Sequence, residues 1–203
     1  THGGAIAVGL NTVFEHNYSE NKIKFIEEKE RIGAAAADLV SDGEIIIIDS
    51  GSTTFQVAKH LASHRGLKII TNDISITSEI EYEQSNTLIM TGGVYRRGLN
   101  LLQGSWTEIF LRDVRVNKAF IGVDAIDIKD GVFNATMEEA SIKKIIVKVA
   151  KEVILVADHS KFGRIALAKI CELDTIHKII TDSGLDIPYQ NALKNLRVDL
   201  SLV

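Results

Sequence analysis

Ile45–Thr54 reads Ile-Ile-Ile-Ile-Asp-Ser-Gly-Ser-Thr-Thr, and this stretch decides the fold. Four consecutive β-branched residues make an unbroken apolar run, the pattern of a strand buried on both faces, as in a parallel sheet. The run stops at Asp49, and Gly51 allows a tight turn at little steric cost. Ser52 stands where a helix N-cap is expected, ahead of Phe55, Val57, Ala58 and Leu61 at helical spacing. The order is buried strand, hydroxyl-rich turn, helix. Such a turn aims backbone N–H groups and the positive end of a helix dipole at one point, with Ser50, Ser52, Thr53 and Thr54 as further donors. Asp49–Thr54 is therefore a candidate phosphate cradle, with an ordinary capped strand–helix turn as the plainer alternative.

Outward from this stretch the same unit recurs. Leu67–Thr71 is an apolar strand followed by Asn72-Asp73 and a helix carrying Ile74, Ile76 and Ile80. Thr87–Thr91 is another strand, ending at Gly92-Gly93. Lys118–Val123 ends at Asp124, Val153–Ala157 at Asp158–Gly163, and Lys178–Thr181 at Asp182-Ser183-Gly184. This repetition predicts an α/β fold, an open and mostly parallel sheet flanked by helices. Ligands of such sheets sit at the carboxyl ends of the strands, where these polar loops converge. An ionised Asp124 just past a buried strand is costly unless it has a partner or a task. Asp158, Ser160 and Lys161 make a second concentrated polar loop, in which His159 is read as a lone exposed histidine.

The intervening segments read as helices and loops. Lys24–Val40 is helical, with Ile32, Ala35, Ala36 and Leu39 on one face, and Ser41-Asp42-Gly43 ends it. Tyr95-Arg96-Arg97-Gly98 reads as a solvated basic turn. Gly104–Leu111 is a helix with Trp106, Ile109, Phe110 and Leu111 inward, Trp106 being a core residue. Asp127–Asn134 is a loop. Met137–Val149 is an amphipathic helix whose inner stripe is Met137, Ala140, Ile142, Ile145, Ile146 and Val149. Glu138 and Glu139 suit its first turn, and Glu139 with Lys143 makes the plainest surface pair. Ile187–Leu196 is a short helix with Pro188 near its start, and Arg197–Val203 a closing strand.

Composition narrows the function classes. With 203 residues, 45% of them hydrophobic, the chain can build a large core. A net charge of −4 argues against nucleic-acid or membrane binding by bulk charge. Cys171 alone cannot form an internal disulfide, and between Ile170 and Glu172 it reads as a small buried hydrophobe rather than a nucleophile. No apolar run approaches the ~20 residues of a membrane span and no secretory leader is visible, so a cytoplasmic protein is expected. Residues 1–21 read as a linker and residues 22–203 as the domain proper. The sequence starts at Thr-His-Gly-Gly-Ala without an initiator Met, as a piece of a longer protein would. Metal-ligand spacing, GxSxG, Walker and GxGxxG motifs are absent from it, so neither metal nor cofactor is expected.

Seven segments carry a family resemblance in order along the chain: Thr1–Ala5, Asp49–Thr54, Thr71-Asn72, Gly92-Gly93, Phe120–Asp124, Glu138-Glu139-Ala140 and Ala157–Gly163, with Ile179–Gly184 closing. Together they resemble the effector-binding domain of DeoR-type bacterial transcriptional repressors. The resemblance implies that a winged helix-turn-helix precedes the His-Gly-Gly-Ala segment, and that operator DNA is a partner only through that domain. It implies a phosphorylated sugar or sugar alcohol as effector and a homo-oligomer as the working state. Ser50, Gly51, Ser52, Thr53 and Thr54 are then the phosphate ligands. Asp49, Thr71, Asn72, Gly92, Gly93, Asp124, Glu138, Lys143, Asp158 and Lys161 reach the sugar. Val123-Asp124-Ala125 departs from the family's Ala-Asp-Gly. The implied fold resembles ribose-5-phosphate isomerase and the CoA-transferase-like proteins, so a sugar-phosphate isomerase is the rival reading. In that comparison the isomerase's basic glutamate falls on Lys143, and an ammonium cannot take a proton from carbon. A kept pocket without its base implies a sensor.

Overall fold

The computed structural model describes residues 12–13, 22–196 and 198–203. Its first part runs β1 (Thr12–Val13), α1 (Ile26–Ala37), β2 (Ile45–Ile48), α2 (Ser52–His60), β3 (Lys68–Thr71), α3 (Ile74–Ser78) and β4 (Thr87–Met90). A hairpin of β5 (Val94–Arg96) and β6 (Leu101–Gln103) leads to α4 (Ser105–Arg112) and β7 (Val116–Ile121). A second hairpin, β8 (Ala125–Asp127) and β9 (Gly131–Asn134), precedes α5 (Met137–Val149) and β10 (Ala150–Val156). The chain closes with β11 (Ile165–Ala166), β12 (Ala168–Cys171), β13 (Lys178–Thr181), α6 (Ile187–Asn195) and β14 (Asp199–Leu202).

Seven strands form one sheet in the order β14–β13–β10–β7–β2–β3–β4, every neighbouring pair parallel. From β2 the chain steps outward through β3 and β4, then resumes at β7 on the other side of β2. The β2–β7 boundary is therefore a topological switch point, where loops leave neighbouring strands in opposite directions and open a crevice.

Alternation along the strands divides the core between two faces. Ile46 and Ile48 pack with Ile69, Phe120 and Ile154 beneath Ile32 and Ala36 of α1 and Val57 and Ala58 of α2. Ile47 packs with Ala119, Ile121 and Leu155 beneath Leu111 of α4, Ile142 and Ile146 of α5 and Leu193 of α6. With helices on both faces, Ile46–Ile48 of β2 and Ala119–Ile121 of β7 are buried, and an all-isoleucine β2 is what that requires.

Several sequence expectations change. Trp106 and Ile109 do not enter the core: they are 71% and 50% exposed, and only Thr107 and Leu111 of α4 are buried. A helix this short has one narrow inner stripe, and apolar character alone does not say which side faces it. Met137 is likewise exposed, because the inward stripe of α5 begins at Ala140. The expected loop at residues 127–134 holds a hairpin, which β12 extends to a three-stranded sheet. The basic turn at residues 95–98 belongs to the β5–β6 hairpin. Strands of three or four residues are too short to display a period. Of the expected linker 1–21, only Thr12–Val13 lies within the described residues, as β1 beside β11.

α1 crosses α2 so closely that a Cβ on Gly33 would stand 2.6 Å from the Gln56 carbonyl carbon. Gly33→Ala gains about 1 kcal/mol of helix propensity but forces the two backbones apart, which costs about 1–3 kcal/mol. Urea unfolding is expected to find the variant less stable than wild type.

Candidate functional site

β2 delivers Asp49 to the switch point, 1% exposed. Its Oδ2 accepts the Gly122 N–H at 3.2 Å, just past β7, and forms an ion pair with the Lys143 ammonium of α5. Lys143 was expected on the surface with Glu139; instead its side chain is 3% exposed, and its partner lies 94 residues away. Burial disfavours that ammonium, but Asp49, Glu139 and Asp124 outweigh it and raise the lysine above its ordinary pKa. Burial also raises the Glu139 carboxyl, opposed by Lys143 and reinforced by Asp124. Thr136 fixes Glu139 by accepting its N–H at 3.3 Å and donating to its Oε2 at 3.0 Å. Asp124 accepts the Ala135 N–H at 2.8 Å, which ties the loop after β7 to the turn into α5.

Beside this cluster, α2 begins. Its N-cap is Gly51, at φ 147°, and Ser52 is the first helical residue rather than the cap. Glycine is needed because other side chains rarely tolerate that φ, and no side chain caps this helix. The Gly51 N–H donates to Asp73 Oδ2 at 3.3 Å, so it is already engaged by a carboxylate of the protein. Asp73 also caps α3 by accepting the Ser75 N–H at 2.8 Å, and burial pushes its pKa up to about 6. The first-turn N–H groups of Ser52, Thr53 and Thr54 have no carbonyl within the helix to bond. Ser50, Thr53 and Thr54 are buried, Gly51 and Ser52 partly exposed. Thr54 Oγ1 donates to the Gly51 carbonyl at 2.9 Å.

The remaining candidates flank this centre. On the β3–β4 side, Thr71 Oγ1 accepts the Asp73 N–H at 3.0 Å. Asn72 Nδ2 donates to the Leu102 carbonyl at 3.1 Å, fastening the β5–β6 hairpin to the sheet. Gly92 and Gly93 are exposed, and the Gly92 carbonyl accepts Thr107 Oγ1 at 2.7 Å. On the β10 side, Asp158 is 1% exposed and accepts the Ser160 N–H at 3.0 Å, so it is engaged with Ser160 rather than with Lys161. Lys161 is half-buried at the end of that short turn. His159 is not solitary: its Nδ1 lies 2.7 Å from Asp182 Oδ2, and its N–H donates to Oδ1 at 2.8 Å.

The structure thus gathers Asp49, Gly122, Asp124, Glu139 and Lys143 beside the start of α2, whereas Glu138 points to solvent. Glu139 is the one that faces the cluster, because one residue along a helix turns the side chain by about 100°. Asn134, not singled out in the sequence, is buried before the same turn with Oδ1 lacking a hydrogen-bond partner. Its signal was a polar residue ending an apolar run. Burial pushes the Cys171 thiol up to about 12, which leaves it inert as a nucleophile. Among the described residues no His, Cys, Asp and Glu side chains are grouped to hold a metal ion, and no helix is long and apolar enough to cross a membrane.

The sequence profile of the DeoR C terminal sensor domain matches residues 24–183. The chain belongs to this family. It is 32% identical over 203 residues to the putative aga operon transcriptional repressor of Escherichia coli O157:H7, spanning 100% of this chain and 76% of that protein. It is 28% identical over 203 residues to the glycerol-3-phosphate regulon repressor of Escherichia coli K12, spanning 99% and 79%. Among solved structures, eIF2B delta from Chaetomium thermophilum has a TM-score of 0.52 at 13% identity, over 77% of this chain and 56% of that one. At such identity the likeness is one of fold. Ribose 5-phosphate isomerase A from Methanocaldococcus jannaschii has a TM-score of 0.47 at 18% identity, over 70% and 56%. As a DeoR sensor domain, the chain is similar over its whole length to transcriptional regulators.

Lys143→Met strands the Asp49 carboxylate in the core and is expected to cost about 3–5 kcal/mol in chemical denaturation. Adding Asp49→Asn restores most of that loss, because no unpaired charge is left. Asp73, near pKa 6 in the folded chain, lies above an unfolded value of about 3.9. The folded state therefore holds this proton more tightly, and its contribution is full below about pH 4 and lost as pH rises toward about 6. Asp73→Asn, which keeps an acceptor for Ser75, removes that descent from stability measured against pH.

Proposed function

We propose that this chain is the effector-reading part of a DeoR-type regulator and binds a phosphorylated sugar or sugar alcohol at the β2–β7 switch point. Binding controls operator recognition by a helix-turn-helix domain joined through residues 1–21, and the protein acts in the cytoplasm, beside its operator. The observation that carries this reading is the position of the first turn of α2. The N–H groups of Ser52, Thr53 and Thr54 lack helical acceptors at the crevice where ligands of open parallel sheets bind. The positive end of the helix dipole favours a phosphate there, and the hydroxyls of Ser50, Ser52 and Thr53 add donors. The name of one relative, a glycerol-3-phosphate regulon repressor, agrees with a small phosphorylated effector.

Around the phosphate, Asp124 and Glu139 suit sugar hydroxyls from the β7 side, with Asp49 and Lys143 behind them as a fixed pair. Thr71, Asn72, Gly92 and Gly93 approach from one flank, Asp158 and Lys161 from the other. The site binds without turnover, because the position compared with the isomerase's base carries Lys143. Its ammonium is held protonated by three carboxylates and accepts nothing from carbon. Two copies are needed to address two half-sites, and the exposed Trp106 and Ile109 of α4 offer apolar surface for the second copy.

The test is a thermal-shift panel of glycerol 3-phosphate and pentose and hexose phosphates against their unphosphorylated counterparts. A ligand specific to the folded state adds about 2.7 kcal/mol at a hundredfold excess over its Kd, so only phosphorylated compounds are expected to raise Tm. Thr53→Glu places a carboxylate in the anion position and abolishes the shift. Lys161→Met leaves the Tm of the free domain unchanged and shrinks the shift. Equal shifts with unphosphorylated sugars, or conversion of any sugar phosphate, refute the reading.

A further inference from the structure

The described residues in front of α1, 12–13 and 22–25, meet the loop that follows β10. β1 pairs in parallel with β11, Thr12 opposite Ile165 and Val13 opposite Ala166. The Phe25 ring meets the His159 ring edge-on, their centroids 4.9 Å apart. Lys29, 2% exposed at the start of α1, has Asp158 and Lys161 as neighbouring charges, and its ammonium donates to the Lys24 carbonyl at 2.7 Å. The same segment also reaches the other flank of the site. Lys22 pairs with Glu79, next to α3, at 3.1 Å and lies 5.0 Å over the Phe55 ring of α2.

Phe25 sits at φ 55°, a left-handed conformation that a bulky aromatic residue adopts only under constraint. The strain falls at the joint between the segment and α1. Three contacts hold Phe25 there: its carbonyl accepts the Lys29 N–H at 3.0 Å, the Lys24 ammonium lies 5.3 Å over its ring, and the His159 ring meets it edge-on. The His159 ring is itself anchored, because both its imidazole and its N–H are held by Asp182. Of these contacts, the ring pair is the one that movement of the loop removes.

We infer that Phe25 and Lys29 are positioning residues of this sensor, which make the 158–166 loop and the segment before α1 one cooperative unit. The inference rests on the proposed ligand site, since Asp158 and Lys161 lie in that loop. Neither Phe25 nor Lys29 needs to touch the effector. A ligand that fixes the loop fixes the docking of the segment through them, and by linkage a docked segment favours the ligand. The connection toward the proposed DNA-reading domain thus starts at the site itself rather than across the sheet.

Hydrogen–deuterium exchange of the whole chain tests this, comparing wild type with Phe25→Asn and Phe25→Tyr. Asn accepts the left-handed backbone but has no ring, and Tyr restores one. Phe25→Asn is expected to speed exchange at residues 12–13 and 159–166 together, by at least about tenfold, with β2 and α5 unchanged and Phe25→Tyr close to wild type. Loosening of the segment alone, or of neither element, overturns the inference. A second arm adds glycerol 3-phosphate or inorganic phosphate to wild type at millimolar concentration. Slowing at residues 52–54 and 12–13 together supports the coupling. Slowing at residues 52–54 alone overturns it while leaving the binding reading intact. No slowing at residues 52–54 counts against the binding reading, and the ligand-free variants then decide the coupling by themselves.

Discussion

One buried ion pair constrains the rest of the molecule. Removing Asp49 and Lys143 from water costs several kcal/mol per charge, recovered only if the two meet in good geometry and the carboxylate finds a further donor. That condition fixes the end of β2, the position of α5 and the presence of a backbone N–H at Gly122 just beyond β7. Three elements distant in sequence are thereby located at one point. The hydrophobic layers on either side of the sheet supply most of the stability, but slippage within them is limited by this contact. It also explains why the crevice is polar at its floor: the charges there are structural before they are functional.

Around that fixed point the site is assembled from pieces of unequal rigidity. α2 and α5 are seated on the sheet and present their first turns at the crevice. The loops after β3 and β10 are held by side chains instead, Asp73 bridging to Gly51 and Asp182 clasping His159. A ligand gripped between helix ends and such loops gains most of its leverage on the loops. That division suits a protein whose output is a change of arrangement.

The buried strands were legible because a doubly covered strand leaves no room for polar residues, and Ile45–Ile48 and Lys178–Thr181 appear where their composition put them. The turn after β2 was legible as a turn into a helix, because a glycine and small hydroxyl residues following an apolar run end a strand and open a helix. What failed depended on distant partners. Glu139 and Lys143 fit a local surface pair, and nothing in the helix reveals that Asp49 competes for the lysine. Glu138 and Glu139 differ only in rotation about the helix axis, which apolar periodicity sets to within a residue at best. The left-handed Phe25 left no trace, because backbone strain is imposed by contacts and not by the residue that bears it.

The chain's only tryptophan sits on α4 with 71% of its surface in water. An indole so placed emits in the red part of its range, and covering it with apolar surface shifts the emission to the blue. The molecule therefore carries an optical gauge of that helix face without a label. The colour of its fluorescence reports what that surface of the domain is touching.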